Sequence, residues 1–183
     1  LRAILDLAAD RGWWVISDEI YVRIAYDAPA VGALDVARRR DNLIVVNGVA
    51  KAYAMTGWRI GWTISAPAVA KAMNAFQSHT TSNAATVSQH AALAALTLGD
   101  PVEQAVRAMV AEFKARRDAA LPILRASSAL TVLQPAGAFY FYLKVPGTGA
   151  DAGAAFCATL LEEHGVAIVP GSAFRTPDWV RIS

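Results

Sequence analysis

Cysteine occurs once in 183 residues, at position 157, which excludes a disulfide framework and a set of thiolate metal ligands. Cys157 stands among Ala and Leu in a helical stretch, so it is expected in the core, and a reducing cytoplasm is the expected location. Charge of one sign is also scarce: 17 Lys and Arg against 15 Asp and Glu leave a formal net charge of +2. Arg38-Arg39-Arg40 is the one dense basic run. Nothing therefore supplies the concentrated positive face that nucleic acid requires. The run itself is expected on a solvated surface or at a subunit contact. No apolar run is long enough to span a bilayer, and no charged leader precedes an apolar core, so no membrane partner is expected. His79, His90 and His164 have no companions at ligand spacing, and no metal is expected.

What is present is apolar residue in quantity. At 55% hydrophobic content the chain can bury a sizeable core, in one large domain or parts of two. Leu1, Ile4, Leu5, Leu7 and Ala8 recur at helical spacing until Gly12 ends the run. Residues 13–17 then form an apolar block suited to a buried strand of a parallel sheet. Residues 43–47 read as a second such strand and residues 59–65 as a third. From residue 67 to about 126 the pattern is helical, interrupted at Ser82-Asn83 and at Gly99-Asp100-Pro101. Beyond that, strands are expected at 130–133 and 138–143, then an Ala-rich helix ending at Gly165 and a strand at 166–169. This is an α/β pattern, divided near residue 100 into parts 1–100 and 101–183. Trp13, Trp14, Trp58, Trp62 and Trp179 are expected in the core or an interface, and Glu162-Glu163 on a solvated helix face. Leu1 opens in mid-pattern and the last residues stop inside a strand, so a fragment of a longer chain is expected.

Two clusters carry chemistry. Ser17-Asp18-Glu19-Ile20-Tyr21 lies where the first strand ends, and ligands of open parallel sheets collect beyond such ends. A carboxylate desolvated there calls for a cation, although a cap for the following segment explains Asp18 as well. Gly48-Val49-Ala50-Lys51 follows the second strand, and Thr56-Gly57-Trp58-Arg59-Ile60-Gly61 comes after it. Small residues around a lone Lys leave room for a flat ligand and favour the neutral, nucleophilic amine. Arg59 could bring a bidentate cation to a phosphate, with Gly57 and Gly61 permitting close backbone approach.

Residues 48–61, Gly-Val-Ala-Lys-Ala-Tyr-Ala-Met-Thr-Gly-Trp-Arg-Ile-Gly, resemble the cofactor-attachment signature of the class I/II aminotransferases, which are fold-type I pyridoxal-phosphate enzymes. Residues 17–21, 135–140, 169–174 and 180–183 resemble further segments of that family, in the right order. The resemblance implies part of the cofactor-binding large domain, a mostly parallel sheet with flanking helices, followed by a smaller α+β C-terminal domain. It implies that Lys51 holds pyridoxal 5'-phosphate as a Schiff base and moves the substrate proton. Asp18 would pair with the pyridine nitrogen, Tyr21 would donate to the ring's 3-oxygen, and Arg59 would hold the phosphate. Arg181 would grip the α-carboxylate of an amino acid through a planar fork. The activity implied is transfer of an amino group between an L-amino acid and a 2-oxo acid, in a homodimer.

Departures from the family pattern bear on that reading. Gly48 and Ala50 stand where many relatives carry Ser, so other donors must meet the phosphate. Ser78 stands where one dicarboxylate-specific branch has Arg, and aspartate specificity by that route is unsupported. Ser82-Asn83 resembles a loop that reaches the neighbouring subunit's active site; a helix N-cap is the alternative. The phosphate-binding turn, ring-stacking aromatic and Asn of the family all fall upstream of Leu1, so the piece by itself is expected to hold cofactor weakly and to show little activity. A β-carbon–sulfur lyase on the same scaffold would use the same residues, and a transcription regulator with an aminotransferase-like sensor domain is a further alternative.

Overall fold

The computed structural model describes residues 1–183. The chain divides into two compact units, Leu1–Met109 and Val110–Ser183. The turn expected at Gly99 is present, and the division falls beyond it, inside a continuous helix.

In the first unit, helix α1 (Arg2–Asp10) leads into strand β1 (Val15–Asp18), the short helix α2 (Ala33–Val36) and strand β2 (Leu43–Gly48). Strand β3 (Gly61–Ile64) completes a three-stranded sheet in the order β1-β2-β3. Leu5 of α1, Ala33 of α2, and Leu43 and Val45 of β2 form the core, with Val15 and Leu34 packed against it. β1 and β2 are parallel, as expected of strands joined by a long crossover. β3 is antiparallel to β2, whereas the sequence reads as a third strand of the same kind. The cause is the connection: residues 49–60 turn back on themselves and contain no helix that could carry the chain across the sheet for a parallel return. Residues 13–17 also differ from a fully buried strand. β1 alternates between half-buried and exposed positions, and Trp13 and Trp14 are 55% and 57% exposed. Trp58 is exposed too, so these three tryptophans do not fill the core of this unit.

Helices α3 (Pro67–Thr80), α4 (Thr86–Thr97) and α5 (Asp100–Arg125) follow, broken at the two expected places. Pro67 sits in the first turn of α3, where a missing N–H costs nothing. Ser82 takes up a left-handed conformation at φ 62° and Ala85 is the residue at the N-cap of α4, so neither Ser82 nor Asn83 caps that helix. Arg38, Arg39 and Arg40 are held locally, by Asp6, Asp41 and the Leu34 carbonyl respectively.

The second unit contains strands β4 (Thr131–Leu133), β5 (Phe141–Lys144), β6 (Val169–Pro170) and β7 (Trp179–Ile182), with helix α6 (Ala152–His164) between β5 and β6. The sheet is antiparallel in the order β4-β5-β7-β6. Asp151 caps α6 by accepting the Ala154 N–H at 2.8 Å, and Gly165 ends it in the left-handed conformation that glycine adopts without a steric penalty. Leu143, Val145, Cys157 and Val180 form the core, flanked by Phe156, Ile168 and Ile182. Burial pushes the Cys157 thiol above its ordinary value, as befits a packing residue rather than a reactive one. The expected strand at 138–143 begins later, because Ala138 turns at φ 58°. Arg117 of α5 is buried, ion-paired with Asp118, and donates to the Pro135 carbonyl at 2.8 Å, tying that turn to the helix. Glu162 and Glu163 lie on the exposed face of α6.

Candidate active site

The two clusters picked out in the sequence leave the sheet side by side. Val15 to Asp18 pair in register with Leu43 to Val46, and the ladder extends one bond further, from the Glu19 N–H to the Val46 carbonyl at 2.8 Å. Beyond this point the two chains form loops at the C-terminal ends of parallel strands. Asp18 is exposed there and accepts the Ile20 N–H at 3.1 Å, a local bond of the capping kind. Of the two readings the sequence allows for Asp18 in this chain, a carboxylate facing a cation or a local cap, this bond is the one that the cap expects. Glu19, next to it, is structural: its carboxylate accepts the Ala33 N–H at 2.6 Å and the Ser17 hydroxyl at 3.1 Å, fixing the start of α2.

The loop 49–60 is closed at its base by Val49 N–H donating to the Ile60 carbonyl at 3.2 Å. Val49 and Ala52 are buried and anchor the segment, while Lys51 between them is half-buried. Lys51 Nζ lies 5.9 Å from the centroid of the Tyr21 ring, so these two predicted residues do come together. Ala54 and Arg59 have φ of 53° and 56°, a conformation that L residues adopt at some cost and that concentrates at functional turns. Arg59 closes the far end of the loop, exposed, with one guanidinium N–H donated to the Thr56 carbonyl at 2.9 Å.

Glycine is required here at 48 rather than at 57. A Cβ on Gly48 would stand 2.7 Å from the Ile60 carbonyl oxygen and 3.1 Å from the Gly61 Cα. A side chain at that position would force β2 and β3 apart, which gives the departure at Gly48 a local cause. Gly57 has no protein atom near enough to demand a glycine.

Arg181 belongs to the second unit, on β7 opposite Tyr142 of β5. Its guanidinium lies 4.5 Å from the centroid of the Tyr140 ring and 4.9 Å from that of Phe174. Tyr142 stacks on Trp179 at 5.2 Å, extending an aromatic surface along the same pair of strands. Arg181 Nε is buried and has no hydrogen-bond partner within the chain.

No motif in the sequence assigns a role to Arg23, Tyr53 or Glu103. Arg23 donates to the Tyr53 hydroxyl at 2.7 Å and to the Glu103 carboxylate at 2.5 Å, and its guanidinium lies 5.3 Å from the Tyr53 ring centroid. The bond to Glu103 raises the guanidinium's pKa further above its already high value. The only sequence signal was position: Tyr53 follows Lys51 by two residues and Arg23 follows Tyr21 by two. Tyr140 and Phe174 are the last residues of the stretches 135–140 and 169–174, where sequence alone gives them no separate function.

Comparison with known proteins agrees with the geometry. The family model described as "Aminotransferase class I and II" matches residues 1–183. An aspartate aminotransferase of Thermotoga maritima is 40% identical over 183 residues, covering 100% of this chain and 46% of the relative. The crystal structure of an aspartate aminotransferase from Thermotoga maritima superposes with a TM-score of 0.88 at 41% identity, over 100% of this chain and 46% of that one. An aromatic aminotransferase from Pyrococcus horikoshii gives 0.89 at 33% identity, over 99% and 48%. The chain thus spans about half the length of the curated relatives it matches.

Proposed function

Given that the chain belongs to the class I and II aminotransferases, we propose that the whole protein is a pyridoxal-phosphate-dependent transaminase, moving an amino group between an L-amino acid and a 2-oxo acid. The observation that carries this most directly is the placement of Asp18 at the last position of β1 and of Lys51 just past the end of the adjacent parallel strand β2, with Tyr21 beside the amine. The names of the relatives favour transfer over the lyase and sensor alternatives. Residues 1–100 then form the C-terminal part of the cofactor-binding domain and residues 101–183 a small C-terminal domain. The working unit is a homodimer.

The donor set fits the cofactor. It comprises an amine that can form a covalent link, a carboxylate for a cationic ring nitrogen, a phenol for the ring oxygen and a guanidinium for the phosphate, held by Lys51, Asp18, Tyr21 and Arg59. When bound, pyridoxal phosphate supplies an electron sink for negative charge at the substrate's α-carbon. Asp18 keeps that sink effective by offering a counter-charge to the ring nitrogen. Lys51 Nζ would hold the cofactor covalently and, when displaced by substrate, would be the base that moves the α-proton. Arg59 spends one donor on Thr56 and retains others of its five for an anion. Arg181, whose guanidinium lies against the Tyr140 and Phe174 rings, would bind the substrate carboxylate through its outer nitrogens.

The test uses the full-length protein with added pyridoxal phosphate. Borohydride reduction is expected to abolish the visible absorbance band and leave a label on Lys51, and amino acids with 2-oxoglutarate are expected to turn over. A label on another lysine, or none, overturns the assignment.

A further inference from the structure

The ladder between β1 and β2 ends at the bond from Glu19 to Val46. Past it, the loop carrying Tyr21 is organised by turns of its own, Val22 N–H to the Glu19 carbonyl and Ile24 N–H to the Tyr21 carbonyl. The loop carrying Lys51 is likewise organised within itself, by Tyr53 N–H to the Val49 carbonyl and Ala54 N–H to the Lys51 carbonyl. Such internal bonds fix each loop's shape and leave the spacing between the loops to side chains. The bond from Arg23 to Tyr53 bridges them, two residues beyond Tyr21 on one side and two beyond Lys51 on the other. Glu103 of α5 holds the same guanidinium from behind. The fork geometry matters, since two nitrogens of one rigid plane meet two partners, which an ammonium cannot reproduce.

We propose that Arg23 and Tyr53, with Glu103 behind them, are positioning residues that set the separation of Tyr21 and Lys51. None of the three is required to touch the reacting atoms. The inference rests on the function proposed above for Lys51 and Tyr21.

The experiment compares wild type with Tyr53→Phe and Arg23→Lys in the full-length protein. In the cofactor-free protein, hydrogen exchange of the amides at 20–24 and 50–54 is expected to quicken in both loops together, with the rest of the first unit unchanged. In the loaded protein, kcat is expected to fall about tenfold, the scale of a sub-ångström misplacement. KM for the amino acid should stay within about twofold, and the pH midpoint of the visible band should shift. Should Tyr53→Phe fail to fold, Glu103→Gln is expected to show the same pattern more weakly. Unchanged exchange, midpoint and kcat in these variants overturn the proposal, as does faster exchange spread over the whole unit. If borohydride fails to label Lys51 in wild type, the proposed function falls instead, while the exchange measurement still reports on the bridge.

Discussion

The guanidinium of Arg181 lies 4.5 Å from the centre of the Tyr140 ring, and the two residues approach because β7 pairs with β5 in a register that aligns Arg181 with Tyr142. Stacking on an aromatic face orients the plane of the cation and leaves its edge for a carboxylate. Arg181→Lys keeps the charge and loses the fork. KM for the amino acid is expected to rise about 10- to 100-fold, the worth of one charged hydrogen bond, with kcat changed far less. Steady-state kinetics on a carboxylate-bearing substrate checks this, and an unaltered KM would remove Arg181 from the substrate site.

Asp18→Asn is expected to act in the opposite sense. The amide offers no counter-charge to a ring nitrogen, so the chemical step should slow by about 100-fold or more, while cofactor affinity falls much less. Single-turnover kinetics beside equilibrium titration with pyridoxal phosphate separates the two effects. Since the Asp18 carboxylate is exposed in this chain, little change in fold stability is expected.

Gly48→Ala places a methyl 2.7 Å from the Ile60 carbonyl. The strands must shift to admit it, at about 1–3 kcal/mol. Gly57→Ala is the control, because nothing lies within 4 Å of a Cβ there, and its effect should stay within about 0.5 kcal/mol. Urea unfolding of the two variants is the measurement. Equal stabilities would contradict the crowding argument.

Asp178 accepts from Lys144 at 2.9 Å, and that hydrogen bond holds its carboxyl below the ordinary 3.8. A group with a depressed folded value adds stability above its unfolded value and loses it as pH falls through the folded one. The contribution is therefore complete above about pH 5 and fades below it. Asp178→Asn should lower the neutral plateau slightly and flatten the acid limb, so that variant and wild type converge at low pH. Thermal melts from pH 2 to pH 7 test it; the pair is exposed, so the effect should shrink in high salt.

The Lys51 loop was legible because its residue types are tightly constrained over a short stretch, and the helix breaks at Ser82-Asn83 and Gly99 were legible because turn chemistry is local. The direction of β3 was not. Alternation identifies a strand, whereas its sense depends on how residues 49–60 return. The exposure of Trp13 and Trp14 removes the core of this unit as their place and leaves the interface that the sequence also allowed. Arg23 and Glu103 are separated by 80 positions and meet only once α5 has packed, a relation that no local pattern encodes.

The antiparallel return of β3 ties the amine at 51 and the guanidinium at 59 to opposite ends of one closed clasp. In the roles proposed for them, Lys51 and Arg59 would then sit on one closed loop rather than on separate elements. Opening that loop would cost the pairing of β2 with β3 and the bond from Val49 to Ile60, so its two ends are held to each other by the sheet itself.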